Sequence, residues 1–301
     1  MAARKNGTPL SWFHFRRNKR GTSARGTLPS SQYDWLYGRR RLAEVPYLLP
    51  NDQSEVNRLD LQHFMLKMAL GGNITAPVKR PLSILDVGCG TGRWACELAE
   101  EYPQTNVVGV DITNSVQNMP DNFTFVSGNI LDRLPFADAT FDYVHMRFLA
   151  LAIPITKWPT AIQEMLRVTQ IGGWIELVEF NTPAGGGPAF ERIQSYWHQL
   201  ADKFGMSNTA GTQIAPLLRD AGLSNVRDRA VVINTLDQRN RAGRLAIADL
   251  YSGLSSSRPA LIATGLTTAP EFDTLTAAVR DEITQHNTAW EIHAAHGQRM
   301  R

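Results

Sequence analysis

The sequence predicts an α/β fold in which helices cover both faces of a mainly parallel sheet. Three observations favour this fold. Short apolar runs of five to seven residues alternate with helical stretches between residues 83 and 180, which is the order that βαβ units produce. A glycine-rich turn joins the first run to a helix, and a carboxylate, Asp111, ends the second run. We therefore expect ligands to bind at the carboxyl edge of the sheet.

The composition fits a globular protein with one substantial core. Of 301 residues, 43% are hydrophobic and 20% are charged, which is ordinary for that class. We expect no membrane span, because no apolar run approaches the roughly 18 residues that one needs, and no secretory signal. Cys89 and Cys96 are expected to be reduced thiols in a cytoplasmic protein. Two cysteines make a poor zinc site, so no metal is expected.

Basic charge is concentrated at the start of the chain. Residues 1–33 hold seven of the 31 Lys and Arg residues and no acid, which leaves 24 basic against 28 acidic residues elsewhere. We therefore expect the folded body not to bind nucleic acid. Residues 1–30 are polar and rich in Gly, Ser and Thr, so a disordered leader is predicted. In a eukaryote, its basic run at 15–20 would also fit nuclear localisation.

Residues 31–75 are predicted to form helices that act as a lid over the binding edge of the sheet. The pair Asn51-Asp52 can cap a helix N-terminus. Apolar residues then recur at helical spacing until Gly71-Gly72 ends the helix. His63 lies on this helix, and we expect it to be a core or surface residue rather than a ligand or a base.

The first predicted strand, residues 83–88, runs into the turn Gly88-Cys89-Gly90-Thr91-Gly92. Glycines let the backbone bend sharply there and lie against a ligand with no Cβ in the way. The spacing is Gly-x-Gly-x-Gly. Dinucleotide-binding proteins have Gly-x-Gly-x-x-Gly, whose third glycine would stand at the position of Arg93. A pyrophosphate site is therefore disfavoured.

Side chains after the next two strands suit a nucleoside. Asp111 lies 21 residues after Gly90, the spacing at which a βαβ unit places a carboxylate that accepts both ribose hydroxyls. Ile112 beside it can lie against a purine face. The third strand ends at a corner that contains Asn129 and Ile130.

The remaining elements complete a sheet of seven strands in a domain predicted at residues 76–301. Roughly 55 residues separate the last two strands, enough for a helical cap at about 235–287 on the substrate side. The predicted strands are 83–88, 106–111, 123–127, 143–147, 174–180, 226–233 and 290–297, and the predicted later helices are 161–168, 189–204, 213–221, 241–254 and 271–285.

The run from Ile84 to Gly92 resembles motif I of the class I methyltransferases, which bind S-adenosylmethionine (SAM), and the run from Leu134 to Asp142 resembles their motif IV. Where that family usually has Asp, this chain has Asn129, whose amide oxygen can still accept a hydrogen bond from adenine. More narrowly, the chain is similar to the LaeA-like group of fungal secondary-metabolism methyltransferases and its bacterial relatives. That likeness is carried by residues 47–52 with Glu55, 58–63, 172–176 and 290–299.

The resemblance implies a Rossmann-like, doubly wound sheet with an antiparallel last strand, and SAM as the cofactor with S-adenosylhomocysteine (SAH) as the product. It implies that the backbone at Gly88 and Gly90 contacts the amino group of the methionine part and that Asp86 orients the loop. Asp111 would bind the ribose and Asn129 the adenine. The expected cofactor-binding residues are Tyr37, Asp86, Gly88, Cys89, Gly90, Asp111, Ile112, Asn129, Ile130 and Met146.

A general base is needed only if the acceptor must lose a proton, and it should project from strands four or five. His145, near the end of strand four, is the first candidate because histidine is the side chain that most often serves as a general base, and Glu179 is the second. The alternative for His145 is a place in the cleft wall or against the cofactor. Arg147 is expected to pair with a neighbouring acid rather than to bind an acidic substrate.

The leading hypothesis is a SAM-dependent O- or N-methyltransferase that acts by in-line displacement on a small-molecule secondary metabolite in a covered pocket. The alternative is a LaeA-like regulatory protein that binds SAM and acts through protein partners. A nicotinamide oxidoreductase is opposed by the glycine spacing. We leave a homodimer open.

Overall fold

The computed structural model describes residues 33–36, 39–42, 49–50, 52–236, 240–283 and 285–301. The predicted leader, residues 1–30, and the expected cofactor-binding residue Tyr37 lie outside the described residues. Among the helices of the described part, none is long and apolar enough to cross a membrane.

A large sheet forms the centre of the fold, and a separate antiparallel hairpin precedes it. The hairpin strands are β1 (Tyr33–Leu36) and β2 (Arg39–Leu42). The large sheet contains β3 (Ser83–Val87), β4 (Asn106–Asp111), β5 (Phe123–Ser127), β6 (Phe141–Arg147), β7 (Thr169–Phe180), β8 (Ala184–Gly185), β9 (Ser224–Asn234) and β10 (Thr288–Gln298).

The strand order across the sheet is β5-β4-β3-β6-β7-β10-β9, and the short β8 pairs with the start of β10. The strands from β3 to β7 run parallel, whereas β10 is antiparallel to both β7 and β9. This confirms the predicted seven-stranded α/β sheet with an antiparallel last strand. The two-residue β8 was not predicted, because so short a strand leaves no periodic pattern in the sequence.

Helices cover both faces of the sheet. The helices are α1 (Gln53–Leu70), α2 (Arg93–Glu101), α3 (Trp158–Val168), α4 (Pro188–Lys203), α5 (Ala210–Asp220), α6 (Arg241–Ala263) and α7 (Ala269–Glu282). Successive side chains of a strand point to opposite faces of the sheet. In β3, Ile84 packs with residues of α2 on one face, whereas Leu85 and Val87 pack with residues of α3 and α5 on the other.

The segment predicted as helices at 31–75 contains, in its described part, the β1–β2 hairpin and one long helix, α1. The helix begins after Asp52, whose Oδ1 accepts a hydrogen bond from the N–H of Glu55 at 3.1 Å. It ends at Gly71, with φ 78°. The capping was therefore predicted correctly, but the hairpin was not, because apolar and aromatic residues over so few positions suit a strand as well as a helix.

A buried ion network joins α1 to α6, which lies with α7 in the insertion between β9 and β10. Arg58 of α1 donates to Glu55 at 2.6 and 3.0 Å and to Asp249 of α6 at 3.1 Å. Gln62 donates to the second oxygen of Asp249 at 3.1 Å, and Ser256 donates to Glu55 at 2.7 Å. Because its charges are paired and hydrogen-bonded, the network can hold α1 in one position against the insertion.

Asp249→Ala should destabilise the protein by about 3 kcal/mol, because it removes a buried carboxylate that compensates the charge of Arg58. The matched control is Asp273→Ala, which removes an exposed ion pair with Arg258 and should change stability by less than about 1 kcal/mol. Urea unfolding of both variants gives the comparison. Equal losses would contradict a special role for the buried network.

Candidate functional site

A cleft opens at the carboxyl ends of β3, β4, β5 and β6, where open parallel sheets bind ligands. Its cavity volume is about 260 Å³, close to the lower limit of the ~300–1,000 Å³ that is usual for small-molecule pockets. Helix α1, which we call the lid, covers it through Glu55, Val56, Leu59 and Gln62.

The turn between β3 and α2 requires glycine at two positions. Gly88 and Gly92 have φ angles of 67° and 71°, in the left-handed region that other residues rarely adopt. A Cβ on Gly88 would also lie 2.7 Å from Cδ1 of Leu149, and one on Gly92 would lie 2.7 Å from Cγ1 of Val116. The turn is therefore packed directly against side chains, and its backbone faces the cleft.

Asp111 holds the same turn from β4. Its Oδ2 accepts a hydrogen bond from the N–H of Gly90 at 2.9 Å, and its Oδ1 accepts one from the N–H of Thr113 at 3.1 Å. Burial raises the pKa of Asp111, although these N–H groups lower it. A carboxylate has about four lone-pair sites, so Asp111 keeps the capacity to accept further hydrogen bonds in the cleft.

The corner after β5 contributes a polar and an apolar group. Oδ1 of Asn129 accepts a hydrogen bond from the N–H of Leu131 at 3.0 Å, which fixes the side chain in a tight turn. Ile130 is 8% exposed, and it lines the cleft together with Ile112. This part of the cleft suits a flat ring that needs an apolar face and a polar edge.

The lid contacts the glycine turn directly. The hydroxyl of Thr91 donates to Oδ1 of Asp60 on the lid at 2.9 Å. Cδ1 of Leu59 lies 3.8 Å from the place that a Cβ on Gly90 would take. The lid is therefore packed against the glycine turn at the edge of the cleft.

The family profile described as a methyltransferase domain matches residues 84–173, from β3 into β7. The N-methyltransferase tcpN of Claviceps purpurea is 30% identical over 268 residues, which cover 82% of this chain and 95% of tcpN. The chain belongs to the class I SAM-dependent methyltransferases. Its cofactor is accordingly SAM.

Two further proteins are similar to this methyltransferase. The secondary metabolism regulator laeA of Aspergillus fumigatus is 33% identical over 160 residues, or 51% of this chain and 42% of laeA. The structure of phosphoethanolamine N-methyltransferase 2 from Haemonchus contortus, in complex with phosphomonomethylethanolamine and SAH, is 16% identical, with a TM-score of 0.46. The match covers 78% of this chain and 57% of that chain. The laeA match agrees with the LaeA-like resemblance of the sequence.

The cleft of this methyltransferase fits SAM. Along one edge of the sheet lie the glycine turn, whose backbone a ligand can approach closely, the carboxylate of Asp111, and the apolar side chains of Ile112 and Ile130. The structure brings most of the expected cofactor-binding residues together there. Met146 is an exception, since it is 1% exposed and packs in the core; the expectation that it contacts the cofactor is corrected. The expected residues that line the cleft are Asp86, Gly88, Cys89, Gly90, Asp111, Ile112, Asn129 and Ile130.

His145, expected as a general base, is 1% exposed and does not line the cleft. Its Nδ1 lies 2.8 Å from Oδ1 of Asp86, and its ring stacks on Trp94 with the centroids 3.8 Å apart. The expectation is corrected, because a covered imidazole cannot reach an acceptor. His145 instead holds Asp86, which does line the cleft.

Glu179, the second expected base, is also inside the cleft wall at 1% exposure. Its Oε1 accepts a hydrogen bond from the N–H of Leu149 at 2.6 Å, and its Oε2 has no partner among the described residues. Burial raises the pKa of Glu179 to about 8, although backbone N–H groups oppose this shift. The expectation is corrected: Glu179 supports the turn that carries Leu149 against Gly88.

Arg147 lines the cleft, and the expectation that it pairs with a neighbouring acid is wrong. Among the described residues, its side chain hydrogen-bonds to Nδ1 of His63, at 3.4 and 3.5 Å, and no carboxylate lies within ion-pair distance. The sequence did contain a signal that Arg147 lines the cleft: it lies at the carboxyl end of a parallel strand, where side chains face ligands.

Asp111→Ala should weaken SAH binding roughly 10- to 100-fold, because it removes a charged acceptor of hydrogen bonds from the cleft. Calorimetric titration with SAH measures the effect. The control is Asp121→Ala, on the exposed loop before β5, which should bind SAH as wild type does. Equal affinities for the two variants would contradict this role of Asp111.

Glu179→Gln should become more stable relative to wild type as the pH rises from about 4.5 to about 8. The folded pKa lies above the unfolded value, so the unfolded state releases its proton first. Wild-type stability then falls over this window by up to about 1.4 kcal/mol per pH unit. Glutamine keeps an acceptor for the N–H of Leu149 and cannot ionise. Urea unfolding across the window tests this, and a stability difference that is independent of pH would contradict it.

Proposed function

We propose that this methyltransferase transfers the methyl group of SAM to a nitrogen or oxygen atom of a small-molecule secondary metabolite. The observation that carries the proposal is the covered cleft. Apolar side chains line it from two sides: Val56 and Leu59 belong to the lid, and Phe148, Leu149 and Ile153 belong to the segment after β6. A narrow cavity with such walls favours a compact, partly apolar acceptor over a peptide or nucleic-acid strand.

The names of the relatives support the same class of acceptor. The match to tcpN, which is named an N-methyltransferase, extends over most of both chains and favours nitrogen as the acceptor atom. The match to laeA covers about half of this chain and favours the alternative, a regulatory protein that binds SAM and acts through protein partners.

When bound, SAM supplies a methyl group that its sulfonium makes electrophilic. The protein must then hold the acceptor in line with that group, with the reacting atoms roughly 3–3.5 Å apart, and keep water out. Leu59 of the lid and Leu149 of the opposite wall pack on the glycine turn and provide this shielding. Because His145 and Glu179 are covered, the geometry supports catalysis by positioning rather than by proton transfer to either residue.

The proposal predicts that the protein methylates a component of a small-molecule extract. We would incubate it with SAM that carries a ¹³C-labelled methyl group and with metabolite extracts of the producing organism. Mass spectrometry would find molecules that gain one labelled methyl, and the carbon chemical shift would distinguish N-methyl from O-methyl. Wild type and the Asp121→Ala control should both label the molecule, whereas Asp111→Ala should label it at least about tenfold more slowly.

A parallel incubation replaces the metabolite extract with a cell lysate. Label that appears only in proteins of that lysate would contradict the small-molecule proposal and favour the regulatory alternative. Equal labelling by wild type and Asp111→Ala would contradict the assignment of the reaction to this cleft.

A further inference from the structure

The lid presents four side chains to the cleft, and two of them are polar. Val56 and Leu59 are apolar, whereas Glu55 and Gln62 carry polar atoms. Glu55, Leu59 and Gln62 are four and three positions apart, so they share one face of α1. An acceptor bound against the lid therefore meets whatever hydrogen-bonding capacity the two polar side chains retain.

The carboxylate of Glu55 is already engaged. Its two oxygens accept hydrogen bonds from Arg58 at 2.6 and 3.0 Å, and one of them also accepts from the hydroxyl of Ser256 at 2.7 Å. Because these partners are buried with it, Glu55 is committed to the network that joins the lid to α6. Gln62 is therefore the polar lid residue to consider as a ligand contact.

The side-chain amide of Gln62 is held in one orientation by Asp249. Its Nε2 donates to Oδ2 of Asp249 at 3.1 Å, while Arg58 donates to Oδ1 at 3.1 Å. Burial raises the pKa of Asp249, and the charge of Arg58 opposes that shift. Beside a permanent cation, the ionised carboxylate is the form that completes the pair. A carboxylate only accepts hydrogen bonds, so the NH₂ group of the amide must face it.

The amide oxygen of Gln62 consequently points away from Asp249. It has no hydrogen-bond partner among the described residues and, unlike Oε2 of Glu179, it is not fully covered. Gln62 lines the cleft, so a ligand can reach this oxygen from there. An amide oxygen has two lone pairs, and the complementary group on a ligand is an N–H or O–H donor.

An apolar wall belongs to the same cleft. Phe148 lines it with a φ angle of 55°, a conformation that bulky residues rarely adopt and that the surrounding structure must enforce. Its N–H donates to the carbonyl of Val178 at 3.0 Å, and its ring packs edge-to-face on Phe180 with the centroids 5.0 Å apart. Apolar surroundings disfavour the charged form of an amine, so an amine would bind there as the neutral nucleophile that methyl transfer needs.

Transfer of a methyl group to a neutral amine balances without a base on the protein. The lone pair of the nitrogen forms a bond to the methyl carbon, the carbon–sulfur bond breaks, and its electron pair goes to sulfur. The positive charge moves to the nitrogen, which keeps its hydrogen and loses it to water after release. A hydrogen bond from this N–H to Gln62 strengthens as the charge develops, so it stabilises the transition state more than the bound acceptor.

We propose that Gln62 accepts a hydrogen bond from an N–H group of the acceptor, that Asp249 positions the amide for this contact, and that the acceptor is a primary or secondary amine. A hydroxyl acceptor would also have to lose its proton, and His145 and Glu179 are covered. The inference rests on the proposed function, because it specifies the acceptor of the same cleft.

The test uses two aza analogues of SAM and needs no identified acceptor. In both, a tertiary nitrogen replaces the sulfonium, and the methyl group is replaced by a 2-aminoethyl arm in one and by a propyl arm in the other. The amine of the first arm stands for the acceptor nitrogen. The arm ratio is the affinity for the aminoethyl analogue divided by that for the propyl analogue, both from calorimetry. In Gln62→Leu, the arm ratio should fall roughly 10- to 100-fold below the wild-type value, while SAH affinity stays unchanged.

Asp249→Asn tests the positioning role with Gln62 still in place. Arg58 keeps the side-chain oxygen at position 249 facing it, so the NH₂ group introduced there faces Gln62. The amide of Gln62 must then turn round and present its own NH₂ group to the cleft. The arm ratio should therefore fall about as far as in Gln62→Leu. A wild-type ratio in Asp249→Asn would contradict the role of Asp249.

The control is Gln53→Leu, at an exposed position of the same helix, which should leave the arm ratio and the SAH affinity unchanged. Thermal melting checks that each variant is folded. An arm ratio in Gln62→Leu equal to that of wild type would overturn the proposal. A parallel loss of SAH affinity would also overturn it, because Gln62 would then contact the cofactor.

The labelling of metabolite extracts separates this inference from the proposed function. An N-methyl carbon shift in the labelled product supports an amine acceptor. An O-methyl shift would overturn the amine acceptor and leave the proposed function standing. Label confined to the proteins of a lysate would contradict the proposed function itself, whatever the arm ratio.

Discussion

The hydrogen bond from the N–H of Gly90 to Asp111 is the contact on which the cofactor site depends. It ties the turn after β3 to the end of β4 at 2.9 Å, so the backbone of the turn faces the cleft instead of closing on itself. Leu149 can then pack on Gly88 from one side and Leu59 of the lid can approach Gly90 from the other. The sheet, the turn and the lid thus enclose one space, and the turn between them is fixed by Asp111 together with hydrogen bonds from the N–H groups of Gly88 and Cys89 to the carbonyl of Val110.

The wall of this space contains several ionisable groups that are buried in different ways. His145 shields one oxygen of Asp86. Glu179, whose pKa burial raises to about 8, is mainly uncharged at neutral pH and supports the turn at Leu149. Arg147 is held by His63, which is neutral because burial lowers its pKa to about 4, and keeps its charge at the cleft surface. Among the described residues, Arg147 is thus the wall group whose charge has no carboxylate partner, an arrangement that is costly when a charge is buried.

The sequence predicted the sheet, the glycine turn and the position of Asp111 because these follow from local patterns and from the regular length of βαβ units. It failed for His145, whose place at the end of a strand suggested access to the cleft. The stacking on Trp94 that covers it brings together residues from β6 and α2, and no local pattern records that contact. The pairing of Arg58 with Asp249 spans 191 positions and was unpredictable for the same reason.

The insertion between β9 and β10 is connected to the cleft through the lid, and none of the insertion's described residues lines the cleft. Glu55 lines the cleft and also accepts hydrogen bonds from Arg58 and from Ser256 of α6. A sequence change in α6 that moves Ser256 or Asp249 would therefore shift the lid over the glycine turn. Relatives with a different insertion could thus differ in the shape of the acceptor space even if their cofactor-binding turns were alike. Acceptor choice could then change without a change in cofactor binding. Acceptor choice depends on the lid, whereas cofactor binding depends on the carboxyl ends of β3, β4, β5 and β6.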